Sequence, residues 1–341
     1  FLCNVLFMIV NGIYPWHQDI WQRVLADKNK LHHALLLKGQ AGIGKLDFAI
    51  FLAKSLFCQN PNHQHQACGQ CPSCGWFDQD NHPDFRLISP EQEGGKDDEG
   101  VKPSKKKTQI LIEQIRGLSD FLSLSSHKND GSRIVLIHPA EGLNLASSNA
   151  LLKVLEEPPP GVMFILVAHQ PQKLLPTIMS RCQKIDMPMP SQQEAIGWMT
   201  NQGILDAEAV LNYAGGSPLQ AMNEAEDNIT ASMAIFKHLL NGMKTDIYQT
   251  ASICLELGME NAVNTLQKWC YDLLLSKMTG KARYHREQTT DLNRLGATIS
   301  LIGLLDFMKQ LDEAKKSASH PLNNELQLTR LLHHYTQLFA L

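Results

Sequence analysis

The sequence predicts an α/β domain built on a parallel sheet, followed by an all-helical region. Three observations predict it. Apolar strand-like runs alternate with helical stretches from about 20 to 190, a glycine-rich turn follows the first run, and strand signals stop after PMPSQQE at 188–194.

HALLLKG (33–39) is a buried strand that enters the glycine-rich turn, and KLDFAIFLAKSLF (45–57) is the helix that leaves it. DFRLIS (84–89), SRIVLIH (132–138) and VMFILVAH (162–169) are further buried strands. TQILIEQIRGLSDFLSLS (108–125) carries apolar residues at helical spacing and reads as one amphipathic crossover helix. EQEGGKDDEGVKPSKKKT (91–108) has almost no apolar residues and reads as a flexible surface loop, its Lys105-Lys106-Lys107 run as a solvated patch. Residues 191–230 form a small helical unit broken at Gly215-Gly216-Ser217-Pro218, and 231–341 reads as a helical bundle. The expected domains are therefore 1–190, 191–230 and 231–341.

Composition narrows the function classes. With 43% apolar and 19% charged residues and a net charge of −3, the chain has no global electrostatic case for nucleic acid or membrane binding. No apolar run is long enough to span a bilayer. The opening FLCNVLFMIV lacks a basic n-region and a small-residue cleavage site, so it is a poor signal peptide, and the expected compartment is the cytoplasm. The chain begins with Phe1, and Met8 is the expected natural start.

GQAGIGKL (39–46) places Gly39, Gly42, Gly44 and Lys45 at phosphate-loop spacing, between a strand and a helix as that motif requires. The glycines let backbone N–H groups cradle phosphate oxygens at a helix N-terminus, and the lysine reaches the outer phosphates. The next residue should carry a hydroxyl for Mg²⁺, and here it is Leu46. A hydrolysing site also needs acids at the end of a neighbouring strand, yet IVLIHPAEGL puts His138 and Pro139 there, with Glu141 too far along to take their place. The machinery is missing at two independent places.

Of eight cysteines, Cys58, Cys68, Cys71 and Cys74 are clustered. Two C-x2-C steps sharing Cys71, with Cys58 returning on a loop, offer four thiolates to a tetrahedral, structural Zn²⁺. His63 and His65 are available as substitutes, although four cysteines already suffice.

YPWHQDIW (14–21), HALLLKGQAGIGK (33–45), the four-cysteine insertion, NALLKVLEEPPPG (149–161) and SRC (180–182) occur in one order that resembles bacterial clamp-loader subunits of the AAA+ family. The likeness is strong over 14–190. It is weaker through GSPLQAM (216–222), WCYDLLLSKMTG (269–280) and LNNELQLTRLL (322–332). The resemblance implies an AAA+ core, a small helical lid and a helical collar that assembles subunits into a pentamer. It also implies a part in the replicative DNA-directed DNA polymerase holoenzyme, loading a sliding clamp onto primer–template DNA. The partners would be motor subunits (gamma/tau) and a delta subunit. Motor subunits carry a full phosphate loop, an acidic pair and a lid arginine; here Leu46, His138-Pro139 and Leu219 stand in those places, which suits a non-motor subunit.

In the family the arginine of SRC reaches the ATP site of the adjacent subunit, so the resemblance makes Arg181 a finger acting in trans on ATP and Mg²⁺ held by the neighbour. Ser180 and Cys182 would shape the turn. The main alternative is a competent P-loop ATPase, or a motor-type subunit, with atypical Mg²⁺ ligands. A nucleotide kinase lacks its basic lid here, and a stand-alone zinc module for DNA lacks basic residues beside Cys74.

Overall fold

The computed structural model describes residues 12–26, 31–90, 109–123, 132–204, 206–223, 226–317 and 323–339. The expected loop at 91–108, its lysine run, and Met8 lie outside them. The chain divides into two compact units, Phe1–Glu194 and Ala195–Leu341.

The first unit is a five-stranded parallel sheet. Strands β1 (Ala34–Lys38), β2 (Phe85–Ile88), β3 (Arg133–Ile137), β4 (Val162–Ala168) and β5 (Gln183–Asp186) lie in the order β2-β3-β4-β1-β5. Both faces are covered, which is why the central strands are continuous apolar runs instead of alternating ones. On one face Leu35, Leu37, Ile134, Leu136, Ile165 and Val167 pack with Trp21 of α1 (Gln18–Leu25) and with Phe48, Phe51 and Leu52 of α2 (Lys45–Phe57). A short helix α3 (Pro72–Asp78) follows in the cysteine insertion.

On the opposite face Leu36, Val135, Ile137, Phe164 and Leu166 meet four helices: α4 (Ile112–Arg116), α5 (Leu118–Ser123), α6 (Leu145–Glu156) and α7 (Pro176–Ser180). The single crossover helix expected over 108–125 is thus two helices in its described part. Gly117 interrupts it, its N–H bonded back to Glu113 at 2.8 Å. The order of the sheet sets β1 beside β4 while the chain returns through β2, so the crevice at the carboxyl ends of β1, β3 and β4 is the topological switch point. The glycine-rich turn opens there.

The second unit is helical throughout its described residues. Helices α8 (Gln192–Asn201), whose first turn lies before the boundary, α9 (Ala207–Tyr213) and α10 (Pro218–Asn223) share a small core of Ala195, Met199, Leu211 and Ala221. Helices α11 (Glu226–Leu239), α12 (Ile247–Leu257), α13 (Met259–Thr279), α14 (Thr289–Thr298), α15 (Leu301–Ser317) and α16 (Asn324–Gln337) surround Trp269. Its indole donates to Tyr335 Oη at 2.9 Å, and that hydroxyl donates to Leu239 O at 2.8 Å. A buried indole and phenol each need such a partner.

Candidate functional site

The glycine-rich turn has a phosphate loop's backbone. Gly44 caps α2 at φ 87°, a left-handed conformation that a β-carbon would strain. At Gly39 the constraint is closeness: an added Cβ would lie 2.9 Å from the Met187 carbonyl oxygen. Gly42 also has positive φ, at 74°.

The loop's own groups hold its lysine. Lys45 is 2% exposed, and its ammonium donates to the Gly39 carbonyl at 2.8 Å and to that of Gln40. Burial pulls its pKa down to about 8, with the Glu141 carboxylate acting the other way. A phosphate would have to displace both bonds. Leu46 adds its side chain to the core around α2, so an apolar group stands where the metal ligand is required.

The N-terminal segment closes over this turn. Trp16 Nε1 donates to Ile43 O at 2.9 Å, and Tyr14, stacked on Trp16 at 5.0 Å, donates its hydroxyl to Asp47 at 2.7 Å. His17 is fully buried among Tyr14, Trp16 and Phe48, and among the described residues neither ring nitrogen has a hydrogen-bond partner. Burial first, and Lys45 second, hold its pKa down to about 4.

After β3, His138 and Pro139 stand where the two acids were expected, and His138 is joined by His169 at the end of β4, a residue the sequence reading did not single out. His138 Nε2 and His169 Nε2 face each other at 3.0 Å, so one ring must donate while the other accepts. Both are lowered to about 4, chiefly by burial; beyond that, His138 is lowered by His169 and Lys45, and His169 by Lys45. Pro139 follows a cis peptide bond. Glu141 sits apart from a metal-ligand position: its carboxylate accepts the backbone N–H of His169 at 3.0 Å and of Gln170 at 3.1 Å. The signal for His169 was present in the sequence, since SRIVLIH and VMFILVAH end alike on a histidine.

The cysteine cluster assembles as expected. The Sγ atoms of Cys58, Cys68, Cys71 and Cys74 lie within 4.8 Å of one another, whereas His63 and His65 are exposed and do not join them. Cys58 caps the C-terminus of α2, Cys71 caps the N-terminus of α3, and Cys74 lies in that helix. The donor set suits structural zinc: four soft thiols, and backbone N–H groups of Gln70 and Cys71 at 3.5 and 3.4 Å from the Cys68 sulfur. Those N–H groups lower the Cys68 thiol to about 6 without metal, while burial raises Cys74 to about 12. Around the cluster, Ser73 Oγ donates to Phe57 O at 2.9 Å, Lys54 pairs with Asp78, and Trp21 Nε1 donates to Gln64 O at 2.9 Å.

Arg181 stands in the turn between α7 and β5. Ile178 and Cys182 anchor the turn in the core, and Ser180 Oγ donates to Thr177 O at 3.0 Å. The arginine itself reaches outward, pairing with Glu156 at 2.6 Å and donating to Thr177 O at 3.0 Å. Leu219 is half-buried in α10 of the second unit.

Residues 17–191, just over half of the chain, match the model of the family described as DNA polymerase III, delta subunit. The chain belongs to this family. Relatives named DNA polymerase III subunit delta′ include that of Pseudomonas aeruginosa, 38% identical over 61% of this chain and 60% of the relative. That of Haemophilus influenzae is 30% identical over 64% of this chain and 63% of its own length. That of Escherichia coli is 28% identical across 95% of this chain and 96% of its own. The matches thus span less than two thirds of the first two relatives and nearly all of the third. Among solved structures, a DNA polymerase III gamma subunit-related protein of Thermotoga maritima is 17% identical over 95% of this chain and 99% of its own, with a TM-score of 0.43. The RuvB Holliday junction branch migration motor of that organism is 12% identical over 79% of this chain and 76% of its own, with a TM-score of 0.39. Those likenesses are too loose to carry function. Family membership, the parallel sheet with its phosphate loop and the helical second unit agree with the AAA+ clamp-loader fold that the sequence resembled.

Proposed function

We propose that this chain is a non-hydrolysing clamp-loader subunit that lends Arg181 to the ATP site of an adjacent motor subunit (gamma/tau). It would act beside a delta subunit, while the assembled complex places a sliding clamp on primed DNA in the cytoplasm. The observation that carries the reading is a pairing of opposites. The chain's own loop holds its lysine internally and has Leu46, His138 and Pro139 where magnesium ligands are required, whereas Arg181 is one-third exposed at a core-anchored turn. A guanidinium supplied from outside stabilises charge that spreads over the transferring phosphoryl group. The core at 1–190 would be followed by a lid at 191–230 and a collar at 231–341, the lid having its small core in α8–α10. Zinc on Cys58, Cys68, Cys71 and Cys74 would be structural. Among the described residues, no helix is long and apolar enough to cross a membrane.

The test is DNA-stimulated ATP hydrolysis by the reconstituted clamp loader, comparing the natural chain with Arg181→Ala at equal assembly. The expected result is a clear fall in turnover, since a finger supplied in trans is worth about 10³–10⁵ in kcat at the site it serves. Unchanged turnover would remove the role and leave a scaffold. The alternative of a competent ATPase predicts turnover by the isolated chain.

A further inference from the structure

We propose that Glu156 is a positioning residue for the finger: it holds Arg181 in a fixed orientation that leaves most of the guanidinium free to meet a phosphate. The inference rests on the finger reading above and goes beyond it, since it names a second residue.

Glu156 ends α6, within NALLKVLEEPPPG, and a carboxylate there is locally unfavourable. The C-terminal end of a helix carries partial negative charge, so an acid in the last turn is repelled by the carbonyls around it. The Arg181 guanidinium relieves that repulsion. Its Nη2 lies 2.6 Å from Glu156 Oε1, while its Nη1 donates to Thr177 O at 3.0 Å.

Geometry gives the pair its use. A guanidinium has five N–H donors in a rigid plane, and these two bonds consume two of them. The remaining three can address an oxyanion without any bond being broken. Both partners are anchored from beneath: Leu151 and Leu155 of α6 are buried, the His33 ring lies 3.1 Å from the Leu155 carbonyl, and Ile178 is fully buried under the arginine turn. A free arginine samples many rotamers and must lose that freedom when it binds phosphate. Held at both nitrogens, it has already lost much of it, which is the usual benefit of preorganisation. The side chains are 34% and 49% exposed, so the pair is open to solvent and sensitive to salt.

The test uses the reconstituted loader with ATP, primed DNA and the sliding clamp, and compares Glu156→Ala, Glu156→Gln, Arg181→Ala and the double Ala variant. Assembly is checked by gel filtration. The expected result is a fall in kcat of about threefold to fivefold for Glu156→Ala, the scale of an exposed ion pair, with KM for ATP unchanged. Glu156→Gln, which keeps an acceptor for the guanidinium, should fall between it and the natural chain. The deficit should shrink as salt rises, because screening already weakens the natural pair. The double variant should be no slower than Arg181→Ala alone. Turnover of Glu156→Ala at or above the natural rate, with Arg181→Ala still slow, would overturn the positioning role and leave the finger standing. A double variant slower than Arg181→Ala by the full Glu156 factor would show Glu156 acting elsewhere, and would overturn it as well. Unchanged turnover in Arg181→Ala would instead bring down the finger reading, and the positioning role with it.

Discussion

The two ends of α2 make an instructive contrast. At its N-terminus the phosphate loop keeps the glycine backbone and lysine of a nucleotide site, yet Leu46, His138 and Pro139 stand where a metal-holding site needs a hydroxyl and acids. At its C-terminus Cys58 joins three other cysteines in an arrangement with four ligands and no open position. One end has the shape of a metal-dependent site without the ligands, and the other has ligands enough for a metal without chemistry. A loop's shape survives the loss of its ligands when its polar groups bond to one another, as Lys45 does to Gly39 and Gln40. A cluster of thiols has no such internal substitute.

The largest effect should therefore come from the cysteine end. Chelation, or Cys74→Ser, is expected to release zinc and lower the melting temperature by roughly 10 °C or more, since structural zinc contributes directly to folding. Zinc content and a thermal scan on the same sample check this; a chain that never carried zinc would break the contrast.

At the other end, Gly39→Ala should destabilise by about 2 kcal/mol or more, because the new methyl group meets the Met187 carbonyl at a backbone angle that favours glycine. Urea unfolding measures it, and a neutral result would mean that the loop's closeness is not enforced.

A smaller effect concerns pH. His17, His138 and His169 are lowered to about 4, below the ordinary 6.5, so between those values the unfolded chain binds protons that the folded chain refuses. Stability from this source is complete above about pH 6.5 and is lost as the pH falls toward 4. The melting temperature should drop from pH 7 to pH 5, and His17→Phe should flatten that slope; an unaltered slope would exclude His17 as a contributor.

The smallest effect is the most telling for the contrast. Leu46→Thr restores the missing hydroxyl at a cost of about 1 kcal/mol in core packing, and the isolated chain should still hydrolyse no ATP, because β3 is still followed by His138-Pro139. Measurable turnover would show that the loop had lost only one group.

Most of this architecture was legible in the sequence because burial on both faces of the sheet writes long apolar runs. The exception is β5, whose QKID is polar and mostly exposed, as befits a four-residue edge strand. Gly117 could be read as a break in 108–125, but helical spacing continued on either side of it and concealed the change of direction. The thiol cluster was visible from spacing alone. The Glu156–Arg181 pair was not, since the two residues are brought together by the packing of α6 against α7 and by nothing periodic.

The register of β5 on β1 gives the first unit a polarity. Leu35 pairs with Gln183 and Lys38 with Asp186, so the two strands run side by side in one direction. Arg181 lies just before β5 begins and Gly39 just after β1 ends. The arginine and the phosphate loop therefore lie at opposite ends of two adjacent strands, about six residues apart along them, roughly 20 Å. Such a block cannot bring its own arginine to its own loop. On the proposed finger reading, the arginine meets a loop only in a neighbouring subunit placed head to tail, the heterologous contact from which rings are made.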